Sequence, residues 1–297
     1  MLWYHPFTCH HSIGGEYVMG NKNNPVIMRE DMDLFERIAK HGFIDMDYVQ
    51  LFCYPNRKKR TVMDRIVQLT KHGFLVVNKT FIPPDYTTSY KAGYKIISLG
   101  KQGIHLLESM GYDIIDNIKT IQNSSPYRMY HQVQVSTVCD ILQKFYEDGL
   151  SNWKLDKILN EREAYHEEAL NQPDALLIFR LKDNEEAPAA IVFLEIERSY
   201  ASQRSLDRKI KGYSFAIHRK LYPSAFSMRV YDQRVLFVAQ TQNQKKALLN
   251  KIVNREKTAD FALLVAGYGE VTNDPLESIY TNPRDLENKY KLLGKLP

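Results

Sequence analysis

Cysteine is scarce in this chain and tryptophan scarcer, with three of the one and two of the other in 297 residues. Cys9, Cys53 and Cys139 are widely spaced, odd in number and form no CxxC pair, so neither a disulfide framework nor a cysteine-based zinc site is expected. Long apolar runs are also missing. No stretch comes near the about 18 apolar residues of a membrane-spanning helix, and nothing N-terminal joins a basic start to an apolar core. The chain therefore reads as cytoplasmic and without a membrane partner. A phosphate loop of the form GxxxxGK[ST] and any Ser/His/Asp order are absent, which speaks against nucleotide hydrolysis and triad chemistry. The charge excess is small, 40 Lys and Arg against 35 Asp and Glu, too mild for a disordered polycation.

What remains is the composition of a globular protein, 44% hydrophobic and 25% charged, long enough for two domains. Residues 1–24 follow neither a helical nor a strand period and read as an irregular arm. The adjacent Cys9, His10 and His11 do not converge on one ion without partners elsewhere. Gly14-Gly15-Glu16 back-translates to a purine-rich stretch just ahead of the Met19 codon, like a bacterial ribosome-binding site. Met19 is accordingly expected to be the native start, and residues 1–18 not to be native.

Residues 25–122 carry three helical patterns joined by short turns. Leu34, Phe35, Ile38 and Ala39 mark the first, and Met46, Val49, Leu51 and Phe52 the second, behind Asp45 as N-cap. Val62, Ile66 and Leu69 mark the third, for which Asn56 is the expected N-cap and His72-Gly73 the stop. The apolar runs 74–77 and 94–98 then flank a polar loop as the two strands of a wing, and a helix from Lys101 to Met110 follows. The order predicts a winged helix-turn-helix.

The positive charge is concentrated here. Arg57, Lys58, Lys59, Arg60, Arg65, Lys71, Lys79, Lys91, Lys95 and Lys101 face only Asp64 and Asp85 between positions 57 and 101. Four consecutive cations at the start of a helix oppose its dipole, by a few tenths to about 1 kcal/mol. Phosphates would relieve that conflict, and the same helix would bring arginines to guanine edges in the major groove. Asn56, Arg57, Lys58, Lys59, Arg60, Arg65, Lys91 and Lys95 are the expected contacts to double-stranded DNA. Tyr86, Tyr90 and Tyr94 interleave with the wing lysines as further contacts or as packing.

Asn123, Ser124, Ser125 and Pro126 make the sharpest break in composition, so 123–130 reads as a linker. Beyond it, His131 to Phe145 has helical spacing. Strands follow at 153–163, 174–180 and 190–197, then a helix from 203 to 221, a strand at 234–240, a basic helix from 243 to 255 and a strand at 261–265. This predicts a mixed α/β domain over 131–270, with 271–297 as a C-terminal extension.

Glu195 and Glu197 lie two apart in the most apolar of these strands, so both carboxylates share one face of a sheet. Two buried like charges require water, a cation or a metal beside them. Asp174, at the start of the preceding strand, would meet Glu195 if the two strands paired as a hairpin. A hard cation such as magnesium would suit these oxygens, with Lys209 and Lys211 placed to stabilise phosphate charge.

Pro173-Asp174 followed by Glu195-Ile196-Glu197, with Glu161 and the His131 helix ahead, resembles the core of the PD-(D/E)xK nuclease superfamily, a restriction-endonuclease-like fold. The resemblance implies metal ligation by Asp174 and Glu195, an acidic contribution from Glu161, and a catalytic lysine. Glu197 stands where that lysine belongs, and Lys209 on the next helix is its substitute. Across about residues 30–270, the basic third helix, the 193–199 strand Phe-Leu-Glu-Ile-Glu-Arg-Ser and the 209–213 Lys-Ile-Lys-Gly-Tyr resemble the replication-relaxation proteins of bacterial plasmids and integrative elements. That resemblance implies a DNA-binding accessory factor in plasmid replication, DNA relaxation or conjugative mobilisation, with a relaxase or replication initiator as partner and a homodimer as a compatible state. It favours a second domain without catalysis. The alternatives are a magnesium-dependent endonuclease that nicks DNA, and a transcriptional regulator of a mobile element.

Overall fold

The computed structural model describes residues 25–82, 91–112, 114, 124–148, 151–184, 186–197, 202–253 and 261–295, without the side chains of 80–82, 91 and 92. The arm 1–24, with its metal-ligand candidates and Met19, and Tyr86 and Tyr90 lie outside the described residues. The chain is mixed α/β and divides into two compact units. One comprises the residues up to Asn78 with Ile97–Asn123, the other Lys79–Ile96 with Ser124–Pro297.

In the first unit, α1 (Arg29–His41) buries Leu34, Phe35 and Ile38. β1 (Ile44–Asp45) leads into α2 (Met46–Tyr48), where the Asp45 carboxylate accepts the Tyr48 N–H at 2.7 Å, and the helix runs on as a π-helical turn over Val49–Cys53. α3 (Lys59–Lys71) buries Val62, Ile66 and Leu69, one apolar stripe. It starts later than the sequence suggested. Lys58, not Asn56, is its N-cap, and no side chain caps it. The Gln50 amide donates to the carbonyls of Tyr54 at 2.9 Å and Arg57 at 2.8 Å, which holds the intervening turn out of the helix. At the other end Gly73 takes a φ of 74°, the left-handed geometry that ends a helix.

β2 (Leu75–Ile82), β3 (Lys91–Leu99) and β1 form a three-stranded sheet with β3 in the centre. α4 (Lys101–Ser109) then packs onto the turn between α3 and β2, where Gly100 N–H donates to Phe74 O at 2.8 Å. A Cβ on Gly103 would stand 2.4 Å from Phe74 O, a backbone atom that cannot move aside alone. Gly103→Ala is therefore expected to destabilise by about 1–3 kcal/mol, despite alanine's intrinsic helix advantage of about 1 kcal/mol. A raised melting temperature in the variant would show that the approach is looser than this.

The second unit is a seven-stranded sheet in the order β10-β9-β8-β7-β6-β5-β4. Its long helix α5 (Pro126–Asp148) begins inside the stretch read as a linker, because proline is well tolerated in a first helical turn. β4 (Trp153–Asn160), β5 (Ala175–Leu181) and β6 (Ala189–Glu197) form an antiparallel meander. α6 (Gln203–His218), capped by Ser202, and the short α7 (Leu221–Ala225) lead to β7 (Val230–Ala239), which is parallel to β6. α8 (Gln242–Val253) leads to β8 (Ala262–Gly267), parallel to β7.

The sheet is covered on both faces, which is why β6 reads as an unbroken apolar run. Val192 and Leu194 pack with Val135, Val138 and Leu142 of α5. Ile191 and Phe193 pack with Leu206, Ile210 and Tyr213 of α6 and with Leu248 of α8. Each such side chain contributes about 1.5–3 kcal/mol by leaving water.

Of residues 271–297, expected as an extension, the described stretch 271–295 belongs to this core. α9 (Tyr268–Asn273) is followed by β9 (Tyr280–Asn282) and β10 (Asp285–Tyr290), which close one edge of the sheet. Leu292 is fully buried, and the Arg234 guanidinium donates to the carbonyls of Leu292 at 2.6 Å and Gly294 at 2.7 Å. Tyr94, read either as a wing contact or as packing, is buried and meets the Tyr130 ring edge-on. Among the described residues no helix is long and apolar enough to cross a membrane.

Candidate functional site

The carboxyl end of β6 carries the densest polar cluster. Alternation along the strand puts Glu195 and Glu197 on the same face as Ile191 and Phe193, so both turn toward α6. Antiparallel register sets Ala175 opposite Leu194, and the Asp174 N–H donates to Leu194 O at 3.0 Å. That brings Asp174 next to Glu195. β6 and β7 are parallel, and the cluster lies where their chains leave the sheet, the end at which open α/β sheets bind ligands.

Lys209 and Tyr213 are one helical turn apart on α6 and reach this cluster together. The Lys209 ammonium donates to Glu195 Oε2 at 2.6 Å and to Glu197 Oε1 at 2.5 Å, bridging the two glutamates. Tyr213 donates its hydroxyl to the other oxygen of Glu195. On the opposite side, His131 Nε2 of α5 lies 2.8 Å from Asp174 Oδ1, and the backbone N–H of Ile196 donates to Asp174 Oδ2 at 2.7 Å. Gln134, one turn along α5 from His131, donates to the side chain of Gln240 just past β7.

The environment separates the acids. Burial pushes the Glu195 carboxyl up and the Asp174 charge adds to it, to about 8, although Lys209 and Tyr213 pull the other way. Burial acts in the same direction on Asp174, but His131, the Ile196 N–H and Lys209 outweigh it and hold that carboxyl below the usual range. Burial alone would discharge Lys209; the two glutamates reverse this and keep it firmly protonated. Tyr213 is held well above its ordinary value by burial beside Glu195, so it acts as a donor.

Of the residues read as catalytic, Asp174, Glu195, Glu197 and Lys209 come together. Glu161 stays in the exposed turn after β4, its carboxylate 4.0 Å from Arg128, with no hydrogen bond to the others. Lys211 is exposed on α6. Spacing located the carboxylates, and His131, read as the start of a helix next to the site, does reach Asp174, whereas Tyr213 and Gln240 were missed as members. Tyr213 was legible in principle, four residues after Lys209.

Magnesium on Asp174 and Glu195 does not fit this arrangement. All four oxygens of those two carboxylates already face a protein partner, and the ammonium occupies the space between Glu195 and Glu197. Among the described residues no group of three or more His, Cys, Asp or Glu is disposed to hold a metal ion.

The second candidate surface lies at the start of α3 in the first unit; Lys91 and Lys95 fall within the second unit. Asn56 and Arg57 are exposed in the turn before α3, and Arg57 pairs with Glu30 at 2.7 Å. Lys58 is exposed at the N-cap, Lys59 lies 3.8 Å from Asp47, and Arg60, 87% exposed, lies 3.4 Å from Asp64. Surface pairs of this kind are worth little and exchange readily for another anion. Arg65 differs from its neighbours. Its side chain is only 12% exposed and bonds Asp31 of α1, with Nε to Oδ1 at 2.9 Å. Lys95 is partly buried, and the Lys91 side chain lies outside the described residues.

No family model matches this chain, and neither a curated protein nor a solved structure does.

Proposed function

We propose that this chain is a DNA-binding protein that docks duplex DNA on the N-terminal end of α3, as an accessory factor in the replication, relaxation or mobilisation of a bacterial plasmid or integrative element. The observation that carries the reading is the start of that helix. Arg57, Lys58, Lys59 and Arg60 gather at a positive dipole end that has no acidic residue in its first turn and no side-chain cap. Such an end has no anion of its own, its exposed pairs to Glu30 and Asp47 exchange readily, and a DNA phosphate is an anion of the right size and reach.

The wider architecture supports the same reading. Helices α1 to α3 followed by β2 and β3 beside β1 have the order of a winged helix-turn-helix. The succession α5, β4, β5, β6, α6, β7, antiparallel and then parallel, has the order of a restriction-endonuclease-like domain. In that domain the closed ion cluster favours a scaffold over a cutting site, with a relaxase or replication initiator as the protein partner.

Fluorescence anisotropy on labelled duplex DNA tests this at several salt concentrations. The wild type is expected to bind with a steep negative dependence of log K on log salt. Neutralising Arg57, Lys58, Lys59 and Arg60 to glutamine is expected to flatten the slope by about four and weaken binding by about 10- to 100-fold. Equal binding by the quadruple variant would remove α3 as the docking site. Binding confined to the chain's own upstream region would instead indicate a transcriptional regulator.

A further inference from the structure

We infer that Lys209 is a built-in counter-cation: its ammonium takes the place of a divalent ion between Glu195 and Glu197 and keeps such ions out of the second unit. The inference goes beyond DNA recognition by α3 and stands whether or not that recognition holds.

Three observations carry it. First, the geometry is that of a bound cation. The ammonium contacts one oxygen from each glutamate at 2.6 and 2.5 Å, so it bridges two carboxylates as a metal would. Second, every carboxylate oxygen of Asp174 and Glu195 already has a protein partner. Tyr213 satisfies the remaining oxygen of Glu195, and His131 and the Ile196 N–H satisfy Asp174. A divalent ion entering here would have to break these bonds as well as expel a charge. Third, the glutamates have nowhere else to go, because Glu195 and Glu197 are 2% and 8% exposed. Two carboxylates at that depth need a cation, and α6 supplies it covalently and permanently.

Magnesium competes poorly under these conditions. It surrenders its hydration reluctantly and demands oxygens in octahedral positions, whereas the lysine is tethered and already desolvated. The face that resembles a nuclease centre is therefore a closed ion cluster. Removing the ammonium while leaving the acids should free one oxygen each of Glu195 and Glu197 for a hard divalent ion.

The test titrates the full-length protein with manganese and follows the paramagnetic resonance signal of the free ion. The wild type is expected to take up no ion that depends on Glu195. Lys209→Ala is expected to bind one manganese at least about tenfold more tightly than the wild type. That gain should vanish in Lys209→Ala combined with Glu195→Gln. Because loss of the ammonium strains the fold, Lys209→Gln is titrated in parallel, and circular dichroism confirms that each variant is folded. Manganese should also raise the melting temperature of the folded lysine variant and leave that of the wild type unchanged. A stoichiometric ion in the wild type that Glu195→Gln abolishes would overturn the inference, as would a folded lysine variant that binds no better than the wild type. If neither lysine variant folds, the wild-type titration beside Glu195→Gln decides alone.

Discussion

Arg65→Met is expected to cost the protein about 3–5 kcal/mol in urea denaturation followed by circular dichroism, a loss out of proportion to one residue on a basic helix. Asp31 is fully buried, and its carboxylate accepts four hydrogen bonds from three residues of the first unit. Met28 donates its backbone N–H at 2.7 Å, Tyr54 its hydroxyl at 2.6 Å, and Arg65 donates from both Nε and a terminal nitrogen. The guanidinium also reaches the Val26 carbonyl at 2.7 Å and Gln68 at 2.6 Å. Methionine fills much of the same volume and removes the charge, so the change isolates an unpaired buried carboxylate from any cavity. Asp31→Asn in the same background should restore part of the loss, since the amide needs no counter-charge. The alternative is a direct DNA contact by Arg65, as its position in the basic run suggested. In that case affinity would fall while the denaturation midpoint stayed put, and the role assigned by the Asp31 pair would be wrong.

The contrast between Arg65 and its neighbours shows what the sequence made legible and where it stopped. A basic run announces net charge, but which member is internal depends on Asp31, thirty-four residues away, and no local pattern reports that pairing. Asn56 failed as N-cap for a similar reason. Its propensity is local, whereas the turn is set by Gln50 reaching across to two carbonyls. Pro126 was read as punctuation and turned out to open a helix, because the same missing N–H that breaks a helix interior is harmless in its first turn. β10 escaped notice because its residues are largely exposed, so no apolar alternation marks it, and a buried arginine and Leu292 tie down the chain beyond it. By contrast, β6 was readable almost to the residue. A strand covered on both faces needs apolar side chains at every position, and the two that are not apolar, Glu195 and Glu197, stood out as a consequence. Their partners on α6 obeyed a spacing the sequence also displays, but only the folded register shows that α6 crosses that face.

Lys209→Met is expected to destabilise the protein by about 3 kcal/mol near pH 8, with a cost that grows as the pH is raised through 8 toward 9. The sign follows from Glu195. Its folded value of about 8 lies above the ordinary carboxylate range, so the folded protein holds a proton that the unfolded chain releases. The stability this contributes is complete below about pH 4.5 and is lost as the pH rises through about 8. In the wild type the ammonium limits that loss by pairing with the carboxylate as it ionises. Without the ammonium, ionised Glu195 and Glu197 repel each other across a buried face, whereas a protonated Glu195 does not. Asp174 moves the other way, contributing above the usual carboxylate range and losing its contribution as the pH falls through its lowered value, which leaves the interval from pH 5 to 8 to Glu195. Glu195→Gln should therefore flatten the wild-type decline in melting temperature over that interval. Combined with Lys209→Met, it should recover much of the lost stability, because a neutral amide still accepts the Tyr213 hydroxyl and leaves only Glu197 to be accommodated. If Lys209→Met instead cost the same at pH 6 and pH 9, the ammonium would be acting through packing alone, and the proton would have to reside on a group other than Glu195.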